Sequence, residues 1–132
     1  MNKFDLDKKL AMVEKIKKSL PIQLGNMIRT NSLQAWQKQG WTNTGFVKWE
    51  PRKSKKNDKG RAILVKTGKL RNSIKVTRAT WAKVIVGSSR KYAKAHNVGV
   101  GKMPKRQFLG DSVILERKLR VTIVSAINKV LL

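Results

Sequence analysis

The sequence contains no cysteine, a single histidine and only seven acidic residues among its 132 positions. The lack of cysteine excludes a disulfide scaffold, a thiolate metal site and a cysteine nucleophile, and it is compatible with synthesis in the cytosol. Acid–base catalysis needs titratable groups with shifted pKa values, and a metal site needs several converging His, Asp or Glu ligands. The sequence therefore predicts a protein that uses no cofactor or metal and is not an enzyme.

The few residues that could support chemistry each have a structural interpretation. His96 has no Ser, Asp or Glu near it in a recognisable triad, so we interpret it as a packed or hydrogen-bonded histidine. Asp111 and Glu116 lie at the start of a predicted helix, where carboxylates interact favourably with the helix N-terminus. The glycines Gly87, Gly99 and Gly101 do not form a phosphate-binding pattern and are typical of turns.

Long hydrophobic runs are missing as well. The N-terminal 20 residues are interrupted by lysines and lack the apolar core of a signal peptide. No segment approaches the ~20 apolar residues that would span a bilayer. We expect a soluble chain that is not exported by itself and does not contact a membrane.

Positive charge, in contrast, is abundant. Lys and Arg number 31 against 7 Asp and Glu, which gives a net charge of +24 and a pI near 11.2. Such a charge attracts polyanions such as nucleic acid or an acidic protein surface. The hydrophobic fraction of 40% is ordinary for a folded domain, so we expect a folded protein that works with a partner.

The apolar pattern predicts one α+β domain over residues 1–132, with N-terminal helices, a small antiparallel β-sheet and a C-terminal helix. Residues 1–39 form the helical region, because apolar side chains recur every three or four positions from Leu6 to Leu20 and again to Trp36. Pro21 should kink this helix or start a second one. Residues 40–61 lose the periodicity and end in a cationic stretch, which predicts a basic loop.

Residues 62–110 contain the sheet, a short helix and an extended arm. The segments Ser73–Ala79 and Trp81–Val86 alternate in polarity and predict an antiparallel hairpin. Tyr92–Val98 should form one or two helical turns, and Gly101–Gly110 an arm or loop. Residues 111–132 carry apolar residues at helical spacing and predict the final helix.

Four segments in this order resemble the phage virion morphogenesis and tail completion proteins, a family that includes the Mu-like morphogenesis protein and neck and head-tail joining components. The segments are Trp49-Glu50-Pro51, similar to a Trp-x-Pro element; Ile63 to Ile74, similar to LxxTGxLxxSI; Val86 to Gly99, similar to VGT...YAxxHxxG; and Pro104 to Gly110, similar to PxRxFLG. The strong cationic excess departs from the acidic or neutral balance usual in that family.

The resemblance implies a structural subunit of a tailed-phage virion that completes the tail or joins head and tail at the neck. It implies a closed homo-oligomeric ring, expected to be hexameric, that is made in the host bacterial cytoplasm and ends in the neck or tail of the virion. The expected partners are further copies of the chain, connector and tail-tube proteins, and packaged DNA.

Two sets of contact residues follow. An exposed Phe-Leu pair would be unusual in a surface loop, so the arm is predicted to dock on a neighbouring subunit. Its predicted interface residues are Pro104, Arg106, Phe108 and Leu109. The predicted contacts to DNA or to an acidic partner are Arg52, Lys53, Lys55, Lys56 and Lys59 in the basic loop.

Two other functions remain open at this point. Basic patches interleaved with Trp41, Trp49, Trp81 and Tyr92 could belong to a free-standing nucleic-acid-binding protein that combines phosphate attraction with base stacking. The cationic N-terminal helix could also lie on a membrane surface, although its apolar stripe is equally suited to a protein core.

Overall fold

The computed structural model of the protein describes residues 2–53 and 62–131. Along the chain the elements are α1 (Lys3–Lys38), β1 (Gly40–Thr42), β2 (Phe46–Lys48), α2 (Lys69–Asn72), β3 (Lys75–Ala79), β4 (Val84–Gly87), α3 (Ala93–Val98) and α4 (Val113–Leu131). This arrangement confirms the α+β class, the N-terminal and C-terminal helices and the β3–β4 hairpin. The predicted basic residues Lys55, Lys56 and Lys59 lie outside the described residues.

Helix α1 is continuous through Pro21. The prediction that a second helix could start at this proline is therefore wrong. The Asn2 side chain caps the helix by accepting a hydrogen bond from the Asp5 backbone N–H at 2.9 Å. Proline removes one backbone hydrogen bond, but Leu20 and Pro21 are buried against the turn between β3 and β4. This packing stabilises the helix on both sides of the proline.

The sheet differs from the prediction, because two separate two-stranded hairpins replace one sheet. Strands β1 and β2 pair within the region predicted to be an irregular loop, with Trp41 opposite Val47. Their three-residue strands are too short to show a period in the sequence. Strands β3 and β4 pair with a bulge between Val76 and Arg78, and Gly25 lets β3 approach α1, since a Cβ there would lie 2.8 Å from a Val76 methyl carbon.

The hydrophobic core lies where the second half of α1 meets the loops that follow the hairpins. Its fully or nearly fully buried members are Ala35, Trp36, Trp41, Trp49, Leu70, Ile74, Ala93 and Phe108. The segment from Ala62 to Val65 packs partly against this cluster as a turn, with Leu64 in the left-handed backbone region at φ +60°. The core therefore draws mainly on the part of the chain between α1 and α4.

Helix α4 packs antiparallel to α1. It begins beside the β1–β2 turn, where the Ile114 N–H donates to the Asn43 carbonyl oxygen at 3.2 Å. Further along, the Thr122 hydroxyl lies 3.6 Å from the Met27 sulfur of α1. In the described ranges, no helix is both long and apolar enough to cross a membrane.

Candidate functional site

The four motif segments converge on one side of the core. The Trp36 indole stands edge-on to Trp49, with 5.7 Å between ring centroids, and lies 4.7 Å from the Phe108 ring. Leu70 and Ile74 are buried in the same cluster. Residues from all four segments therefore form one continuous packed unit.

Backbone hydrogen bonds fix the arm, residues 104–110, to this unit. The Arg106 N–H donates to the His96 carbonyl oxygen at 2.9 Å. The Asn97 side-chain oxygen accepts from the backbone N–H groups of Phe108, at 2.9 Å, and Leu109, at 3.0 Å. The Trp49 indole N–H donates to the Gln107 carbonyl oxygen at 2.9 Å. The arm is thus held against the folded core of its own chain.

The predicted exposure of the Phe-Leu pair is wrong for Phe108. Its side chain is only 1% exposed and packs inside the core of the same chain. Burial against two tryptophans within the chain removes the reason for which an external partner was predicted. Leu109 packs partly against the same core, while Pro104 and Arg106 are half-buried. Contact of Pro104, Arg106 and Leu109 with a neighbouring subunit stays a prediction.

Arg106 connects the arm to the Trp-x-Pro segment. Its guanidinium donates to the Glu50 carbonyl oxygen from Nε at 2.9 Å and from Nη2 at 2.8 Å, and reaches the Pro51 carbonyl oxygen at 3.4 Å. A planar guanidinium suits such multiple contacts because its N–H groups form a rigid fork. Arg106 therefore positions the backbone directly before Arg52, the first of the predicted basic contact residues.

A basic cleft lies beside the hydrogen bonds that Arg106 makes with Glu50 and Pro51. Its charged and polar lining consists of Arg52, Lys66, Thr67, Lys69, Tyr92, His96 and Arg106, and no Asp or Glu of the described ranges lines it. Gly68 forms the turn at its edge with φ +75°, a conformation that side chains disfavour. The predicted basic residue Arg52 lies in the cleft lining, whereas Lys53 is exposed outside it. Sequence reasoning missed Lys66 and Lys69, although they flank the Thr-Gly turn it singled out.

His96 lies in this cleft without the partners that a catalytic base needs. Its ring stands edge-on to the Tyr92 ring, with 5.9 Å between the ring centroids. Its buried Nδ1 atom has no hydrogen-bond partner among the described residues. Burial, and secondly the charge of Arg106, lower the pKa of His96 and favour the neutral ring. No carboxylate in the part of the chain that the structure describes orients the imidazole, and the geometry there is that of a packed residue.

Two of the four aromatic residues considered for base stacking, Trp41 and Trp49, are unavailable for it. Trp36, Trp41 and Trp49 are buried. Their indole N–H groups donate to the carbonyl oxygens of Leu64, Asp111 and Gln107 at 3.3, 3.0 and 2.9 Å. Of the aromatic residues considered for stacking, Trp81 and Tyr92 remain exposed. The described ranges also hold no group of three or more His, Asp or Glu side chains that could bind a metal ion.

Comparison with known proteins gives one clear relationship. The chain matches no curated protein and no solved structure. The model of the phage virion morphogenesis family matches residues 6–127, which includes all four motif segments and most of both long helices. A match over nearly the whole chain shows that this protein belongs to the phage virion morphogenesis family, with a role in building the phage virion.

Proposed function

We propose that the protein is a non-enzymatic subunit of the tailed-phage particle that completes the tail or joins head and tail at the neck, and that it acts as a closed ring of identical copies. The observation that carries this proposal is the set of hydrogen bonds that the motif side chains make. The side chains of Trp49, Asn97 and Arg106 all form hydrogen bonds with backbone groups of their own chain. Side chains used in this way hold a shape, and a subunit that acts by contact needs a fixed shape.

The net charge of +24 supports a polyanionic partner in the particle. Packaged DNA and acidic faces of the connector or tail tube both offer such charge. We propose that the predicted basic loop, together with Lys66 and Lys69 of the basic cleft, makes this contact. The side chains of Lys66 and Lys69 are exposed, and neither lysine forms an ion pair among the described residues.

A phage whose gene for this protein carries an amber mutation provides the main test. In a non-suppressing host we expect filled heads and tails that remain separate, and complementation should restore joined particles. Mass spectrometry of purified wild-type virions should detect the protein at several copies per particle. Normal virions from the mutant, or mature particles that lack the polypeptide, would refute the proposal.

A second experiment tests the basic contact. Changing Lys53, Lys55, Lys56 and Lys59 together to Gln should lower phage yield or weaken binding to DNA or to the connector. The matched control changes four exposed lysines of α1, Lys8, Lys15, Lys17 and Lys18, to Gln, which removes the same charge elsewhere. Equal losses in both variants would show that only net charge matters, and unchanged yield and binding in the loop variant would exclude the loop.

The alternative, a free-standing nucleic-acid-binding protein, predicts a stable monomer that binds DNA and is absent from virions. Its affinity would fall steeply with salt, but so would that of a DNA-lined ring. Virion content and oligomeric state therefore separate the two functions better than binding does. The burial of Trp41 and Trp49 removes two of the four aromatic residues that this alternative would use for stacking.

A further inference from the structure

The middle of the sequence contains no acidic residue. Neither Asp nor Glu occurs between Asp58 and Asp111, although Lys and Arg recur throughout this stretch. Its described part, residues 62–110, forms α2, β3, β4, α3 and the arm. In α1, by contrast, Asp5, Asp7 and Glu14 are interspersed among the lysines. The positive charge between the two long helices is therefore not offset by carboxylates of the same stretch.

Two contacts bring separate parts of this stretch together. Lys66, Lys69 and Tyr92 line the same basic cleft. The hydroxyl groups of Ser73 and Ser88 form a hydrogen bond, which joins the end of α2 to the segment that follows β4. Helix α2 and residues 88–92 therefore lie side by side.

The first residue of β3 extends the same region. Lys75 lies opposite Gly87, the last residue of β4. Its neighbour Val76 packs against Gly25 of α1. Because successive side chains of a strand point to opposite sides, Lys75 points away from α1, and it is exposed.

The cationic side chains of this region form a surface that we name the basic face. Its members are Lys66, Lys69, Arg71, Lys75, Arg90 and Lys91, of which Arg71 is half-buried and the others are exposed. None of them forms an ion pair with another described residue. Like charges held this close repel one another, and a bound polyanion relieves that repulsion.

The other side chains of the basic face favour DNA over an acidic protein as this polyanion. Thr67, Asn72 and Ser89 are exposed between the cations, and hydroxyl and amide groups of this kind commonly contact phosphates. Leu70 and Ile74 are buried, so neither offers the apolar anchor that a protein partner would use. Protein–protein interfaces are depleted in lysine, whereas protein–DNA interfaces are polar and strongly positive.

We propose that the basic face binds the phosphate backbone of double-stranded DNA without reading its sequence. The face is built from a four-residue helix, the start of a strand and a loop. Helix α2 is about 6 Å long, which is too short to follow a major groove about 12 Å wide. This inference rests on the polyanionic contact of the proposed function, names DNA as the partner, and adds Arg71, Lys75, Arg90 and Lys91 to the contact.

The test removes four lysines of the basic face at once. The face variant changes to Gln the residues Lys66, Lys69, Lys75 and Lys91. The matched control is the α1 variant described above, which loses the same charge from the exposed residues Lys8, Lys15, Lys17 and Lys18. Binding is measured by fluorescence anisotropy with two unrelated duplexes of about 30 base pairs, from about 0.05 to 0.2 M salt. Poly-L-glutamate serves as the probe for an acidic protein partner.

We expect wild type to bind the two duplexes equally well, and both more tightly than poly-L-glutamate. The face variant should bind DNA at least about tenfold more weakly. The slope of log affinity against log salt should become less steep by about 3–4, since each lost phosphate contact contributes about 0.9. The control variant should keep the wild-type slope, and circular dichroism should show unchanged helix content in both variants.

Lysine acetylation of the wild-type protein gives a second readout that needs no substitution. Bound DNA should protect Lys66, Lys69 and Lys75 more strongly than it protects Lys8 and Lys15. Equal protection of the two sets would contradict the proposal.

Four binding results would overturn the DNA contact. They are a wild-type protein that binds neither duplex, a face variant with wild-type affinity and slope, equal losses in the face and control variants, and tighter binding of poly-L-glutamate than of DNA that depends on the basic face. The third result would assign binding to net charge alone. The last would assign the basic face to an acidic protein.

The outcome is separable from the proposed function. If the protein is present in virions but the face variant binds DNA like wild type, the DNA contact is wrong while the structural role stands. If DNA binding depends on the basic face but the protein is absent from virions, the contact is correct and the proposed place in the particle fails.

Discussion

The side-chain oxygen of Asn97 accepts two hydrogen bonds from consecutive backbone N–H groups, those of Phe108 and Leu109. This contact joins the end of α3 to the arm at the point where Phe108 enters the core. Asn97→Ala should leave both N–H groups unpaired and reduce the free energy of unfolding by about 1–3 kcal/mol. Asn97→Asp keeps the accepting oxygen and should stay closer to wild type. Urea denaturation of both variants checks this, and an equal loss in the two would contradict it.

Removal of the Phe108 ring should be far more damaging than removal of a ring near the surface. Because Phe108 of the arm is buried in the core against Trp36 of α1, Phe108→Ala should lower the free energy of unfolding by about 3–5 kcal/mol. Phe46→Ala makes the same chemical change at an exposed strand position and should cost about 1 kcal/mol or less. If Phe108 served mainly as a contact to another subunit, the two substitutions would have similar effects on the isolated chain.

The turn before α2 depends on glycine at position 68. A Cβ at Gly68 would meet no atom closer than 3.4 Å, so the cost of Gly68→Ala comes from its φ of +75°. We expect a loss of about 1 kcal/mol in the free energy of unfolding. Gly87 has open space and no positive φ, so Gly87→Ala should be nearly neutral or slightly stabilising. Thermal melts of the two variants should therefore shift by clearly different amounts.

His96 should make the fold sensitive to mild acid. Its pKa in the folded protein is lowered from the ordinary value of 6.5 by burial and by Arg106. The unfolded chain then binds the proton more tightly, so stability is full above about pH 6.5 and declines as the pH falls below that value. His96→Gln cannot take up the proton and should lose less stability between pH 7 and pH 5. Parallel pH profiles for wild type and variant would show that His96 does not contribute.

The predictable parts of this fold are those with strong local signals. Both long helices, the β3–β4 hairpin and the α3 turn follow from apolar spacing and from glycine or aspartate at their ends. The β1–β2 hairpin was missed because three-residue strands carry no readable period, and because its pairing is stabilised by tertiary contacts of Trp41. Continuation of α1 through Pro21 likewise depends on packing that the local sequence does not contain.

The site was only partly predictable for a similar reason. The motif segments identified the residues that meet in space, including Tyr92, His96 and Arg106. Their spacing along the chain could not reveal that Phe108 points into its own core, since an apolar arm has the same sequence whether it packs inward or outward. The contribution of Lys66 and Lys69 to the basic cleft also depends on the path of the backbone around Gly68.

Residues 50–52 and 62, which lie on either side of the most cationic part of the predicted basic loop, are tied to each other and to the arm. Arg52 donates to the Ala62 carbonyl oxygen at 2.6 Å, and Arg106 holds the carbonyl oxygens of Glu50 and Pro51. Residues 52 and 62 are therefore held next to each other. The length of sequence between those ends can change at small entropic cost without moving the core. An epitope tag inserted between residues 53 and 62 should therefore leave the stability of the rest of the subunit unchanged.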